Sequence, residues 1–268
     1  MFRLLIKKLK RGIWTYRQPL SSRPRSLKEP VSDLFVWRKS NIWQTYFDLY
    51  DIGSFYSQEI SNKKVNARII FFNQVGIKIK ECKIDIEPNQ KKCIEISSFI
   101  KKLDGDFGTF AIFHSNVPDN FIEQKSYLTE RGFVSYKFKK SVLRHYVHGN
   151  SDAISISNNS TYLLGISSFL EREYRLQFNL TNDDKYEFLL INYTHSHQKV
   201  NFSFVDTKTN KEIKADNFSM NTNGCCLCKF ETKINEKIRL VISSKLVMAR
   251  PFVFRYGQKK IFFDVFHG

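Results

Sequence analysis

The stretch ERGFVSYKFKKSVLRHYVHG, residues 130–149, returns 119 residues later as ARPFVFRYGQKKIFFDVFHG, residues 249–268. Aligned without gaps, Arg131/Arg250, Phe133/Phe252, Val134/Val253, Lys140/Lys259, His148/His267 and Gly149/Gly268 are identical. Val142/Ile261, Leu143/Phe262 and Val147/Phe266 keep apolar character. Self-similarity at a fixed offset is the signature of repeated structural units. The match continues upstream, where KVN at Lys64–Asn66 answers KVN at Lys199–Asn201. IKECKIDIEPNQKKCIEI, residues 79–96, then aligns with IKADNFSMNTNGCCLCKF, residues 213–230, at an offset of 134. The larger offset means that the first copy carries extra residues before its closing hairpin, and residues 115–130 are where they sit.

Periodicity says what each copy is. ARIIFF, CKIDIE, CIEIS, TFAIF, LQFNL, VNFSFV and IRLVI are short runs of alternating or continuous β-branched and aromatic residues, separated by turn-forming clusters. Helical patterning is scarce, and residues 97–105 read as one or two turns between strands. The expected fold is all-β: two tandem antiparallel β-sandwich domains, Ig-like in size, over residues 31–150 and 151–268. Residues 1–30 form a basic leader and spacer, and the Ser/Asn-rich stretch 149–161 reads as a linker.

FVSYKF and SVLRHYV are expected as a hairpin turning near Lys140, and FVFRY and IFFDVF as another turning at Gly257–Lys259. Folding about those turns sets residue 131 opposite about 149, and 250 opposite about 267. Arg131 then meets His148 and Gly149, and Arg250 meets His267 and Gly268, at the open end. One reading is structural: arginine bonds carbonyls at the sheet end, glycine permits a tight exit and histidine is a satisfied corner. The functional reading takes Arg131, His148, Arg250 and His267 as cationic forks for a carboxylate, a phosphate or a sugar hydroxyl.

The 268 residues carry a formal net charge of +17, with 42% apolar and 15% aromatic composition, enough for real cores. The charge is uneven. Residues 1–30 hold nine Lys/Arg against Glu29 alone, whereas residues 31–150 hold 18 against 13 and residues 151–268 hold 16 against 12. The folded part is only mildly basic, which argues against nucleic acid as the main ligand. In the leader, Phe2, Leu5, Ile6, Leu9 and Ile13 share one stripe of a helical wheel, Lys7, Lys8, Lys10 and Arg11 occupy the rest, and Trp14 follows. Such a segment suits an anionic membrane surface, with a basic tail or a helix covering the first sandwich as the structural alternatives. A mitochondrial transit peptide and an RNA-binding arm have the same look. With no signal-peptide core and no apolar run of spanning length, the protein is expected in the cytosol, docked at the inner face of a membrane through its leader.

Five cysteines are odd in number and three are crowded together, so reduced thiols are expected. Cys226 and Cys228 could share a strand face, as could His195 and His197, and two of each is a zinc set. Against this, Cys228 and Phe230 align with Ile94 and Ile96, an inward-facing pattern that makes the thiols small buried hydrophobes. No paired carboxylates, nucleophile–histidine pair or glycine-rich phosphate loop has a recognisable local signature. No cofactor is therefore expected. The favoured role is a non-enzymatic binding or adaptor protein for a glycan or another protein. The alternatives are a structural building unit of an appendage or particle and an enzyme of surface-polysaccharide assembly or modification.

Overall fold

The computed structural model describes residues 31–51, 65–88, 90–114, 129–130, 132–138, 141–157, 160–163, 165, 167–180, 184–233, 236–247, 250–257 and 263–268. The first half supplies β1 (Val31–Arg38), β2 (Trp43–Tyr50), β3 (Val65–Asn73), β4 (Lys78–Ile86), β5 (Lys91–Glu95), β6 (Phe107–His114), β7 (Thr129–Glu130), β8 (Phe133–Phe138), β9 (Arg144–His148), β10 (Asn150–Ser157) and β11 (Ser160–Leu163). The second supplies β12 (Ser167–Arg175), β13 (Asp184–Ile191), β14 (Gln198–Asp206), β15 (Glu212–Met220), β16 (Cys225–Glu231), β17 (Ile238–Leu246), β18 (Phe252–Gly257) and β19 (Phe263–His267). The turns expected within 97–105 are two short 3-10 segments, Ile96–Phe99 and Lys102–Asp104. Among the described residues there is no α-helix.

The strands form four small antiparallel sheets. Sheet I runs β11-β10-β1-β6-β3-β4, with β7 adding a short parallel pairing to β1; sheet II runs β5-β2-β8-β9; sheet III runs β16-β13-β18-β19; sheet IV runs β12-β17-β14-β15. Numbering β1–β6, β8 and β9 as one to eight, and β12–β19 likewise, both halves read 1-6-3-4 in one sheet and 5-2-7-8 in the other. The registers agree in detail. Phe47 lies between Ile94 and Val134, and Phe188 lies between Cys228 and Val253. Those are the partners that the offsets of 134 and 119 align.

Two separate Ig-like sandwiches joined by a linker are nevertheless not what the chain shows. The four sheets read as a four-blade, propeller-like arrangement, and the reason is a core that ignores the boundary. One buried cluster contains Phe35, Phe47 and Phe110 of the first half together with Leu189, Ile191, Phe252 and Phe254 of the second. Another lies between sheets III and IV, with Phe188, Leu190 and Val253 from sheet III and Phe202, Phe204 and Ile242 from sheet IV. Alternate residues of β13 thus enter different cores, which is why FLLI (188–191) is an unbroken apolar run. The Ser/Asn-rich stretch expected as a linker is taken up by β10 and β11. Its backbone pairs with the edge that β1 offers, Val31 opposite Ser155.

A polar chain spans the joint between the halves. Arg38 Nη1 is 2.7 Å from Glu187 Oε2, Tyr256 Oη donates to the same oxygen at 2.6 Å, and Trp43 Nε1 donates to Tyr256 Oη at 2.9 Å. The Arg38 guanidinium also lies 4.4 Å from the Phe254 ring centroid and 5.1 Å from that of Trp43. Burial opposes ionisation of Glu187, but Arg38, Tyr256 and Lys229 outweigh it and hold the carboxyl below its ordinary range. Further along, Cys225 N donates to Gln74 O at 3.0 Å and Thr109 Oγ1 to Asn223 O at 2.6 Å, tying turns of the two halves together.

Candidate functional site

The repeated hairpins close as expected, but in a different register, shifted by two residues in the second copy. Phe133 pairs with His148 and Phe252 with His267, so residue 250 lies beyond the ladder. Each pair stacks: ring centroids are 4.9 Å apart in the first copy and 4.5 Å in the second, with the same 51° tilt. The skeleton F-V…H-G therefore encodes a cross-strand aromatic pair closing each module. Its glycine is steric. A Cβ on Gly149 would meet Asp33 Cβ at 2.5 Å and Phe35 Cε1 at 2.7 Å.

Arg250 Nε donates to Gly268 O at 3.2 Å, an oxygen that also accepts from the Tyr174 hydroxyl. His267 Nε2 donates to His148 O at 2.6 Å. Burial drives the imidazole down to about 4, with the nearby Arg250 charge acting the same way, so it is neutral at pH 7. In the second copy, arginine and histidine both spend donors on backbone carbonyls. Arg131, the arginine of the first copy, lies outside the described residues. His148 is exposed on the outer face of its sheet. His148 and His267 are brought together, as are His145 Nδ1 and Asp264 Oδ1 at 3.2 Å. Both contacts join residues 119 apart, so the repeat meets itself where β9 and β19 adjoin.

The thiols and imidazoles of the metal spelling are not brought together. Cys226 and Cys228 point into the core between sheets III and IV, and burial pushes both thiols up. His195 and His197 are exposed after β13, and His197 Nε2 lies 2.6 Å from Ser219 Oγ. Among the described residues no three His, Cys, Asp or Glu converge as metal ligands. The residues assigned to membrane contact, Phe2 to Trp14, also lie outside the described residues. Among those described, no helix is long and apolar enough to cross a membrane.

What sequence reading missed is the outward face of sheet II. Alternation on β2, β8 and β9 sends Trp43, Phe47, Val134, Tyr136 and Val147 inward, which leaves Gln44, Tyr46, Phe133, Lys137, Arg144 and Tyr146 on the other side. Phe133 is 40% exposed, Tyr146 51%, Leu143 69% and Val142 93%. Four of the eleven exposed large hydrophobics among the described residues therefore sit on one hairpin. Arg144 stacks 4.0 Å above the Tyr46 ring and donates from Nη1 to Cys93 Sγ at 2.9 Å, while Tyr46 Oη donates to Gln44 Oε1 at 3.4 Å. Burial and the Glu95 charge push the Tyr46 phenol up. The signal was present in the alternation of FVSYKF and RHYVH, whose polar sides carry Phe133 and Tyr146, aromatics that a solvated face does not need.

No family model matches the chain, and no curated protein does. Among solved structures, trypsin-activated α-2-macroglobulin from Escherichia coli aligns with 92% of this chain and 16% of its own, at 8% identity and a TM-score of 0.21. A calcium-binding mutant of Bacteroides uniformis β-glucuronidase 2 aligns with 88% of this chain and 28% of its own, at 8% identity and a TM-score of 0.15. A β-glucuronidase of glycoside hydrolase family 2 covers 87% of this chain and 24% of its own, at 9% identity and a TM-score of 0.14. The chain thus spans well under a third of each of these proteins.

Proposed function

We propose that the chain is a non-enzymatic binding or adaptor protein made of two fused Ig-like sandwich modules, with a protein as its ligand and the outward face of sheet II as the ligand surface. One observation carries this reading. The same face of the sister module, on sheet III, is buried against protein: Phe252 and Phe254 lie under Tyr136 and Trp43. Positions 133, 137, 144 and 146 are the counterparts of 252, 256, 263 and 265 at the offset of 119, and they face solvent or lie at its edge around the buried Ser135, the counterpart of Phe254. Tyrosine, phenylalanine and arginine around a small centre, Ser135, also match the composition of protein interfaces better than that of a general surface.

A photo-cross-linking benzoylphenylalanine in place of Tyr146 tests it in the cell that makes the protein. The expected result is adducts to polypeptide from position 146 and none from the exposed Phe169 on sheet IV. No adducts at 146, together with glycan-array binding lost on Tyr146→Ala, would transfer the reading to a glycan ligand. The building-unit alternative gains one specific support, since here one module already packs against another of the same design.

A further inference from the structure

We infer that the chain docks on an anionic membrane surface through three adjoining turns of its first half, which place Ile42, Leu103, Val142 and Leu143 among lysines. This goes beyond the protein-ligand reading of the sheet II face and does not rest on it.

The turns meet because the chain crosses from β1 in sheet I to β2 in sheet II through residues 39–42. On one side, Arg38 pairs with Phe107 and Lys39 N donates to Asp106 O at 2.8 Å, so the connection 100–106 lies against that crossing. On the other, Trp43 pairs with Phe138, which brings the turn between β8 and β9 alongside. Turn tips are ordinarily polar, yet Leu103 is 97% exposed, Ile42 is 43% exposed, and Val142 and Leu143 stand out from the neighbouring turn.

Charge marks the same place. Residues 31–150 hold 18 Lys/Arg against 13 Asp/Glu, an excess of five. Segments 39–42, 100–106 and 137–144 hold seven against two, also an excess of five, so the rest of this half, 11 against 11, is neutral. The two acids are Asp104, whose Oδ2 accepts from Lys101 N at 2.7 Å, and the exposed Asp106. Lys101 and Lys102 are exposed directly beside Leu103.

Single apolar side chains on separate tips do not form the continuous, desolvated centre that a folded partner fills. They fit a bilayer interface, where each tip enters the acyl boundary on its own and the ammonium groups stay with anionic headgroups. A nucleic acid would use the lysines and leave the apolar tips in water.

Flotation of the full chain with vesicles of phosphatidylcholine containing about one third phosphatidylserine tests this. Partition is expected, and it should be weaker by roughly tenfold or more on phosphatidylcholine alone. Leu103→Ser with Val142→Ser should weaken it by roughly tenfold or more, since each tip loses the gain from burying an apolar side chain. Lys101→Glu with Lys102→Glu should cost a similar factor, whereas Phe169→Ser, at an exposed position on sheet IV, should stay within about twofold. Leu103→Trp should add fluorescence that brominated acyl chains quench. All these positions are exposed, and an unchanged melting curve checks folding. A natural chain that does not float, equal partition on phosphatidylcholine alone, or no added quenching at position 103 overturns the inference. So do serine variants within about twofold of the natural chain, which would assign flotation to residues 1–30, retained in every variant. Cross-linking from position 146 reads the sheet II face independently, so either reading can fail without the other.

Discussion

The outward faces of sheets II and III occupy the same positions of the same module, yet one is solvated and the other is interior. Phe133 and His148 persist as Phe252 and His267, whereas Ser135, Lys137 and Arg144 are replaced by Phe254, Tyr256 and Phe263. The change also reaches the inward side. Phe47 answers Phe188 and Val134 answers Val253, because both modules must bury them, but Trp43 and Tyr136, which cover sheet III, are answered by Asp184 and Arg255. A module of this kind is thus specified by the inward positions that both copies bury, and the rest of the sheet is free to be made into a surface or a joint.

The comparison breaks most sharply by transplanting a residue. Phe254→Ser puts the residue of position 135 into the covered face, removing contacts to Trp43 and Tyr136 with ring centroids 5.1 and 4.9 Å away. Urea unfolding should show a loss of about 3–5 kcal/mol, the cost of deleting a buried aromatic. A loss below about 1 kcal/mol would mean that this face is not an interior at all. Arg38→Met is the next largest. It leaves Glu187 with Tyr256 and Lys229 only, for a loss of about 2–3 kcal/mol, and adding Glu187→Leu should recover a good part, since removing both buried charges is far cheaper than removing one.

The smallest effect sharpens the joint by pH. His267 has a folded value of about 4, below the ordinary value of about 6.5, so the unfolded chain takes up the proton first. Its contribution is complete above about 6.5 and is lost as pH falls towards 4. The melting temperature should drop by roughly 2–4 °C in that window, the size expected of about 1 kcal/mol in a chain of this size, and His267→Asn should flatten the drop.

Repetition made much of this legible. The offsets of 119 and 134 alone aligned Val134 with Val253 and Ile94 with Cys228, and the ladders place those pairs at equivalent sites. Cys226 and Cys228 were legible as core for the same reason. The joint was not legible, because each of its members is unremarkable locally: Arg38 ends an apolar strand and Glu187 interrupts another. Only the packing of sheet III against the first half makes them partners. The register of Arg250 was missed by two residues because hairpin turns fix pairing and the turn lengths were inferred rather than encoded by an Asn-Gly or Asp-Gly signal. The outward face of sheet II went unread because its aromatics were counted towards the core.

His145 and Asp264 hold the same place in the repeat but differ chemically, an imidazole against a carboxylate. Had a lone ancestral unit paired with itself there, like would have faced like. Two copies within one chain escape that constraint, since each half carries its own residue at the position, and the imidazole–carboxylate pair is one that identical units could not make there.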